Sequence, residues 1–388
     1  MSQLANRVEQ ISPFQVMAIL GRAKEIQAQG VDVIHLEVGE PDFVASEAVK
    51  NAGVDAIEQG LTGYTSATGL PQLKQKIAAH YQDKYQVEVD PNRIIVTPGA
   101  SGALQLLASL MVDAGKNVLM PDPCYPCNRH FLIQVGANAN LVATSAADNF
   151  EIPIEKIDTL WNESTTGMWL ASPANPTGAV LSKAYIQSAL DKVTHLGGHL
   201  MIDEIYQGLV YEGEDFTALS LSDDIFVINS FSKYFAMTGW RLGWIVVPEW
   251  AIEAATKLAQ NFFISAPTIS QYAALEAFSE SSMGEFEQRR LVLDERRKLL
   301  VSGLEGMGLK PVVPAQGAFY IYVDVSSITD DAMSWCLDLL EAEAVALTPG
   351  ADFGKEQAHK YVRFAYTCDT SRLQQALARI KTFIEARS

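Results

Sequence analysis

The sequence predicts an α/β protein with a large doubly wound domain, whose sheet is mainly parallel, and a smaller α+β domain. Its 388 residues are long enough to bury a large core and to form two domains. Short apolar segments typical of buried strands alternate with helical patterns through the middle of the chain. We therefore predict that residues 44–285 form the large domain. The predicted small domain combines an N-terminal arm, residues 1–43, with residues 286–388.

Helices dominate the first part of the predicted fold. Apolar positions at helical spacing predict a helix over residues 11–29, and Gly30 ends it in the manner of a C-cap glycine. A strand over residues 31–38 and a turn at residues 39–42 follow. Further helices are predicted at residues 45–59 and from residue 69, where a Gly-Leu-Pro sequence opens the helix.

The strands of the large domain are predicted from short apolar runs that end in polar or glycine-containing loops. These strands cover residues 94–97, 118–120, 169–172, 200–202 and 225–228. A loop of small residues at 98–102 precedes a helix over residues 103–111. Helix follows residue 248, breaks over residues 261–268 and returns from residue 271. The smaller domain takes a long charged helix at 285–305 and strands at 317–323 and 361–365.

The most informative segment comes directly after the strand at residues 225–228. It places Ser230 and Ser232 beside Lys233, and Arg241 follows eight residues after the lysine. A lysine just past a buried strand is partly desolvated, which lowers its pKa and makes the amine a nucleophile for a carbonyl. Serine and arginine bind phosphate oxygens, the arginine through a bidentate fork, so Ser230 and Arg241 are predicted to bind a phosphate. This combination is what pyridoxal 5′-phosphate (PLP) requires, although a surface lysine and a structural arginine remain the alternative for so short a motif.

Further polar residues follow the other predicted strands, at the edge where an open α/β sheet binds its ligands. Asp203 can pair with a pyridine nitrogen and keep it protonated, which makes the ring an electron sink. Tyr206 and Asn175 can hydrogen-bond the phenolic oxygen of such a ring. The loop with Ala100 and Ser101 leads into a helix N-terminus, where backbone N–H groups and the helix dipole favour a phosphate.

Read in order, these motifs resemble those of the class I/II aminotransferases, PLP enzymes of fold type I that are similar to aspartate aminotransferase. The resemblance extends from about residue 32 to residue 363 and rests on Asn-Pro-Thr-Gly, Asp-Glu-Ile-Tyr, Ser-Phe-Ser-Lys and Gly-Trp-Arg-Leu-Gly. It implies that Lys233 holds the cofactor covalently and that Asp203 and Tyr206 act with it in catalysis. It also implies that residues 44–285 form the PLP-binding domain.

The resemblance assigns roles to four residues whose types alone indicate little. Tyr64, in a Gly-Tyr-Thr segment, is expected to reach the cofactor phosphate of a neighbouring subunit, which implies a homodimer with shared active sites. Tyr125 is expected to stack on the pyridine ring. Gly39 and Arg363, together with Asn175, are expected to bind the substrate carboxylate, Arg363 as a bidentate pair.

The implied reaction moves an amino group from an L-amino acid to a 2-oxo acid. Fold alone does not fix the reaction, so a PLP-dependent C–S β-lyase and an aspartate-type transaminase remain alternatives. A third alternative is a PLP-binding regulator with an added DNA-binding domain. The family match begins by about residue 32 and the net charge is −17, and both facts argue against that alternative.

The donor is predicted to be a neutral or aromatic amino acid. A dicarboxylate donor needs a second cation, because a buried unpaired charge is costly. Arg363 is already assigned to the α-carboxylate. The sequence shows no other cation in a motif that we can match to a binding site for a side-chain carboxylate. The segments expected to border the substrate are apolar: Phe14, Val16 and Met17 near the start, and Phe262, Phe263 and Ile264 later.

Composition excludes several classes of function. The net charge of −17 argues against binding to nucleic acid or to anionic membranes. No apolar run approaches a membrane span, and the first ten residues lack a signal-peptide pattern, so we expect a cytoplasmic protein. Four cysteines give no disulfide framework. Cys124 and Cys127 form a C-x-x-C motif, but without a second pair we predict no metal site.

Overall fold

The computed structural model describes residues 4–387. Its helices are α1 Gln15–Ala28, α2 Glu47–Glu58, α3 Pro71–Tyr85, α4 Gly99–Met111, α5 Pro126–Gln134, α6 Ile157–Leu160, α7 Lys183–His195, α8 Ile252–Phe262, α9 Thr268–Ala274, α10 Glu280–Glu305, α11 Ala332–Glu343 and α12 Thr370–Glu385. Its strands are β1 Ile34–His35, β2 Ile94–Thr97, β3 Asn117–Asp122, β4 Asn138–Ala143, β5 Thr165–Ala171, β6 His199–Asp203, β7 Phe226–Ser230, β8 Gly243–Val246, β9 Tyr320–Asp324, β10 Val345–Ala346, β11 Thr348–Pro349 and β12 Tyr361–Ala365.

A seven-stranded sheet forms the centre of the large domain. Its order is β2-β8-β7-β6-β5-β3-β4, and the five strands from β7 to β4 pair in parallel. Only β8 runs against its neighbours, since it is antiparallel to both β7 and β2. The prediction of an α/β fold with a mainly parallel sheet is therefore confirmed. The sequence analysis did not identify β4, nor β8, which begins at Gly243 inside the Gly-Trp-Arg-Leu-Gly motif.

Helices cover both faces of this sheet, as a doubly wound fold requires. Alternate side chains of a strand point to opposite faces, so neighbouring residues of β7 enter different hydrophobic clusters. Phe226 and Ile228 pack with residues of α4 and α8, whereas Val227 packs in the cluster that includes residues of α7 and α9. Burial on both faces explains why the strands are continuous apolar runs instead of alternating ones.

A second, smaller sheet lies in the C-terminal part of the chain. Its order is β11-β12-β9, and both pairings are antiparallel. The short strands β1 and β10 pair in parallel and tie the N-terminal segment to this part of the chain. The predicted boundary between residues 285 and 286 falls inside α10, and the division into domains stays a prediction.

The carboxylate of Asp352 holds the start of α1. Its two oxygens accept hydrogen bonds from the backbone N–H groups of Gln15 and Val16, at 2.7 and 3.1 Å. These are N–H groups that a helix leaves without an internal partner, and a carboxylate at this end also complements the helix dipole. The contact fixes α1 where it forms part of the candidate site described below.

Some element boundaries differ from the prediction. The strand predicted over residues 31–38 shortens to β1, since its partner β10 has only two residues, Val345 and Ala346, to pair with it. Helix α4 begins at Gly99 and takes in most of the predicted loop. Helices α9 and α10 begin at Thr268 and Glu280, earlier than expected. The Ser279 hydroxyl caps α10 by accepting a hydrogen bond from the Ser282 N–H group.

Among residues 4–387, none of the helices combines the length and the apolar character that crossing a bilayer requires.

Candidate active site

A cavity of about 550 Å³ opens at the carboxyl ends of β5 and β6, the edge predicted to bind ligands. The N-terminal end of α4 and the segments that follow β6 and β7 contribute to its lining, together with residues of α1, β9 and β12. Predicted site residues on its lining are Gly39, Ala100, Ser101, Tyr125, Asn175, Asp203, Tyr206, Lys233, Arg241 and Arg363. Segments separated by as many as 324 residues therefore meet in one cavity, from Gly39 to Arg363.

Lys233 follows β7 and directs its amine into this cavity. Its Nζ atom donates a hydrogen bond to the backbone oxygen of Gly39 at 2.6 Å. Burial lowers the pKa of Lys233 to about 8, and the positive charges of Arg363 and Arg241 act in the same direction. A larger fraction of this amine is thus neutral near pH 7 than for an exposed lysine. A neutral amine is the form that attacks a carbonyl or accepts a proton.

Asp203 is the last residue of β6 and is buried. Its Oδ1 atom accepts a hydrogen bond from the backbone N–H of Ile205 at 3.0 Å. Burial raises the pKa of Asp203 to about 6, whereas that hydrogen bond and the charge of Lys233 oppose the rise. The carboxylate is therefore mostly ionised at pH 7. An ionised carboxylate at this place can pair with a protonated ring nitrogen.

Tyr206 lies one turn beyond Asp203, and its hydroxyl is 2.7 Å from that of Tyr320. Desolvation raises the pKa of Tyr206 well above its ordinary value, so the side chain is a neutral hydrogen-bonding group at pH 7. The sequence analysis placed Tyr320 in a strand but gave it no function. Its contacts make it one of the residues that sequence reasoning missed.

The N-terminal end of α4 and Arg241 form a cradle suited to an anion. Gly99 has φ of +69°, and a Cβ atom on it would lie 2.7 Å from Nη2 of Arg241. Similarly, a Cβ atom on Gly243 would lie 2.8 Å from the backbone nitrogen of Ala100. Both glycines thus allow close approach of the guanidinium and the first turn of α4. Because α4 begins at Gly99, Ala100 and Ser101 belong to its first turn, where N–H groups face an anion.

The two serines of the lysine motif have different positions. Ser230 is the last residue of β7, and its Oγ atom lies 3.0 Å from Oγ of Ser232 and 3.2 Å from the backbone oxygen of Leu242. Ser232, which is past the end of the strand, lines the cavity, and Ser230 does not. The predicted role of Ser230 as a phosphate ligand stays a prediction, and Ser232 joins it as a candidate, because the two hydroxyls are hydrogen-bonded and Ser232 lines the cavity.

Arg363 lies in β12 and is buried. Its Nη1 atom donates to Oδ1 of Asn175 at 2.9 Å, and its Nη2 atom donates to the backbone oxygen of Glu37 at 2.6 Å. The Nε atom is buried without a hydrogen-bond partner among the described residues. Such a group costs free energy unless it is paired, so this guanidinium is suited to an anionic ligand.

Tyr125 and Tyr64 occupy contrasting positions. Tyr125 lines the cavity and contacts the ring of Phe14 edge-on, with 6.3 Å between ring centroids. Tyr64 is 82% exposed and lies outside the cavity. Within one chain, Tyr64 does not reach the residues around Lys233.

The apolar wall agrees with the expectation only in part. Phe14, Val16 and Met17 line the cavity, and the structure adds Leu20 from the next turn of α1. The expectation for residues 262–264 is not met, since none of them lines the cavity. Phe262 and Ile264 are exposed, because α8 ends at Phe262 and Ile264 takes a left-handed conformation with φ of +63°.

The C-x-x-C pair shows no feature of a reactive site. Burial raises the pKa of Cys124 to about 12 and that of Cys127 above its ordinary value, so neither is poised as a thiolate. Within residues 4–387, no group of three or more histidine, cysteine or acidic side chains is arranged to hold a metal ion.

The sequence model of the family described as aminotransferase class I and II matches residues 31–380. The chain belongs to this family. It is 35% identical to the valine–pyruvate aminotransferase of Mycobacterium tuberculosis, over 96% of this chain and 97% of that protein. It is also 35% identical to the aspartate/prephenate aminotransferase of Thermus thermophilus, over 98% of each chain. An aminotransferase structure from Mycobacterium tuberculosis superposes with a TM-score of 0.96 at 34% identity, and the match covers 100% of both chains.

Family membership makes the chain a PLP-dependent aminotransferase, as predicted. The cavity fits this cofactor: it combines one amine, a buried carboxylate, a tyrosine hydroxyl and a cradle for an anion. It also contains the guanidinium of Arg363, whose buried Nε has no hydrogen-bond partner within residues 4–387.

Proposed function

We propose that this enzyme transfers the amino group of a neutral L-amino acid, aliphatic or aromatic, to a 2-oxo acid. The observation that carries the proposal is the distribution of charge around the cavity. Among the described lining residues, the cations are Lys233, Arg241 and Arg363, and each has a role in the binding scheme below. The wall from α1, formed by Phe14, Val16, Met17 and Leu20, offers only apolar contacts to a substrate side chain.

The first set of proposed roles concerns the cofactor. Asp203 pairs with the ring nitrogen, Tyr206 and Asn175 face the phenolic oxygen, and Tyr125 covers the ring. The phosphate is held by Arg241, Ser230 and Ser232 with the first turn of α4, at Ala100 and Ser101. Bound in this way, PLP supplies an electron sink that stabilises negative charge at the substrate Cα.

The second set concerns the substrate. Arg363 binds the α-carboxylate through its planar fork, with help from Asn175 and the backbone at Gly39. This anchoring fixes the orientation of the Cα–H bond. Lys233 then removes the proton from Cα as general base and returns a proton as general acid. Its pKa of about 8 supports this role, since catalytic groups work best when their pKa lies near the operating pH.

The acceptor is proposed to be 2-oxoglutarate or pyruvate. The names of the two relatives differ on the donor, since one includes valine and the other aspartate. The proposed donor class therefore rests on the apolar wall from α1 and on the charged residues that line the cavity. A C–S β-lyase would be recognised by pyruvate and ammonia released from a sulfur amino acid without any 2-oxo acid acceptor.

Neutral donors are expected to exceed aspartate in kcat/KM when all are assayed with one acceptor. The reason is that the β-carboxylate of aspartate would be buried against α1 without a cation, which is costly. The measurement compares alanine, valine, methionine, phenylalanine and aspartate. Among the neutral donors we expect differences of only roughly 10- to 200-fold per methylene-sized change, as apolar pockets discriminate weakly.

The matched variant for this comparison is Met17→Arg, which adds a cation to the α1 wall. It is expected to raise kcat/KM for aspartate relative to that for phenylalanine. If wild-type enzyme preferred aspartate by tenfold or more, the proposed substrate class would be wrong.

The active enzyme is proposed to be a homodimer that shares its active sites. A second, larger cavity of about 870 Å³ is lined by Tyr64 and includes Glu40, Thr238 and Gly239, which also line the active-site cavity. Exposed apolar side chains occur near it, since Val44 is 67% and Ile264 is 54% exposed. A partner chain covering this surface would bring its own Tyr64 towards Arg241.

Mixing an inactive chain with a weakened one tests this sharing, and the mixture is compared with the Tyr64→Phe enzyme alone. A Lys233→Ala chain is combined with a Tyr64→Phe chain under conditions of proven subunit exchange. If Tyr64 serves the neighbouring site, one site of each heterodimer has both defects and the other is intact. Random pairing should then restore on the order of a quarter of wild-type activity.

The matched control mixes Lys233→Ala with Arg363→Ala. Both residues line the same cavity of one chain, so every site of that heterodimer has one defect and no activity should return. Equal results from the two mixtures would contradict a shared site.

A further inference from the structure

Tyr320 contacts two residues of the candidate site at once, Tyr206 and Arg363. It is the first residue of β9 and is buried. Its hydroxyl lies 2.7 Å from the Tyr206 hydroxyl, and its ring lies under the Arg363 guanidinium, with 4.2 Å from Cζ to the ring centroid. One side chain therefore joins the group proposed to face the cofactor oxygen to the group proposed to bind the substrate carboxylate.

Gly39 leaves the space that this arrangement needs. A Cβ atom on Gly39 would lie 1.9 Å from the Tyr320 hydroxyl oxygen, which no real contact permits. The backbone oxygen of Gly39 accepts the hydrogen bond from Lys233. The hydroxyl of Tyr320 is thus placed between the lysine-binding backbone and Tyr206.

The donor in the hydrogen bond between the two tyrosines is fixed once Tyr206 donates its own hydrogen to another group. Within residues 4–387, each of the two hydroxyls has the other as its hydrogen-bond partner. A hydroxyl has a single hydrogen to donate. If Tyr206 donates to the phenolic oxygen of the cofactor, its own oxygen accepts from Tyr320. Hydrogen bonds linked in this way polarise one another, so the outer bond strengthens the inner one.

We propose that Tyr320 is a positioning residue that acts on both Tyr206 and Arg363. Its hydroxyl donates to Tyr206 and strengthens the hydrogen bond that Tyr206 gives to the cofactor. Its ring supports the Arg363 guanidinium in the plane that receives a carboxylate, through a cation–π contact. The inference rests on the proposed role of Tyr206, and the experiment separates the two.

The test uses Tyr320→Phe, which keeps the ring and removes the hydroxyl. The PLP-loaded enzyme is titrated without substrate, and the pH midpoint of its visible absorption band is measured. Loss of the donor weakens the bond from Tyr206 and destabilises the deprotonated form of the bound cofactor. We expect the midpoint to rise by roughly 0.5 to 1 pH unit, the shift that one hydrogen bond produces. KM for the amino donor should stay within about twofold, since the ring remains under Arg363.

A second variant, Tyr320→Leu, removes the ring as well. It should show the same shift of the midpoint and, in addition, a KM for the amino donor that rises by roughly 3- to 30-fold, because the cation–π contact is lost. Thermal unfolding of each variant without cofactor reports whether it is folded. A purely structural role of Tyr320 would not shift the midpoint in both variants and raise KM only in Tyr320→Leu.

Tyr322→Phe is the matched control. Tyr322 is a buried tyrosine of the same strand, its ring stacks on that of Tyr361, and it does not line the cavity. The control should titrate as the wild type does, and a shift equal to that of Tyr320→Phe would overturn the inference. Tyr206→Phe is the reference for the proposed function. If Tyr206→Phe shifts the midpoint and Tyr320→Phe does not, the inference about Tyr320 is wrong and the proposed role of Tyr206 stands. If Tyr206→Phe leaves the midpoint unchanged, both the proposed role of Tyr206 and the inference about Tyr320 are wrong.

Discussion

Replacing Lys233 with alanine is expected to reduce amino transfer by at least roughly 10²- to 10⁴-fold, the contribution of a positioned general base. Lys233 is the only lysine among the described residues that line the cavity, so no neighbouring amine takes its place. The remaining ligands, Asp203, Asn175 and Arg241 with the first turn of α4, are unchanged. The variant should therefore still bind PLP. Turnover is measured with a saturating neutral donor, and bound PLP is measured by equilibrium dialysis.

Lys74→Ala is the control for this experiment. Lys74 is also a buried lysine whose pKa is lowered by desolvation, but it contacts Thr68 and does not line the cavity. Its removal should leave turnover and PLP binding near wild-type values. Borohydride reduction of the wild-type enzyme, followed by peptide mapping, gives a second readout. Cofactor label on a lysine other than Lys233 would contradict the assignment of Lys233 as the residue that holds the cofactor.

The depressed pKa of Lys233 also sets the pH dependence of cofactor binding to the apoenzyme. Only the neutral amine attacks the carbonyl of PLP, and the neutral fraction increases as pH rises through about 8. The association rate should therefore increase between pH 7 and pH 9 and then level off. An ordinary lysine, with a pKa near 10.4, would still show a rising rate at pH 9.

Much of the site could be placed from the sequence because its residues follow buried strands. Asn175, Asp203 and Lys233 each come just after a short apolar run, and parallel strands bring their carboxyl ends to one edge of the sheet. Strand identity and order along the chain thus predicted which side chains would meet. That argument needs no knowledge of how distant parts of the chain pack.

Other features depend on packing that local patterns do not contain. Tyr206 and Tyr320 are separated by 114 residues, and their contact accompanies the pairing of the segment after β6 with the residues before β9, through a bridge between Val210 and Gly317. Which of the two serines lines the cavity depends on where β7 ends, since Ser230 is the last residue of the strand and Ser232 lies beyond it. Ile264 is exposed and has a left-handed backbone conformation that β-branched residues rarely adopt, so no propensity argument predicts it.

Replacing Arg363 with lysine is expected to weaken strongly the preference for substrates with an α-carboxylate. The guanidinium is fixed on one side by Asn175 and Glu37 and is packed between the rings of Tyr320 and Phe353. A planar group held this way presents its unpaired Nε at a defined angle, so a carboxylate gains two aligned hydrogen bonds with little loss of entropy. Arg363→Lys retains the charge, but its ammonium is a point charge that cannot form the same fork.

The experiment compares an amino acid with the primary amine that lacks its carboxylate, in single-turnover reactions with the PLP-loaded enzyme. For Arg363→Lys, the rate constant for the amino acid should fall by roughly 30-fold or more, which corresponds to about 2 kcal/mol at 1.4 kcal/mol per tenfold. The rate for the amine should change little, as it never used Arg363. Arg296→Lys is the control, because Arg296 also holds a carboxylate with two nitrogens, that of Asp42 at 2.8 and 2.9 Å, but does not line the cavity. An unchanged ratio of the two rates in Arg363→Lys would show that the α-carboxylate is bound elsewhere.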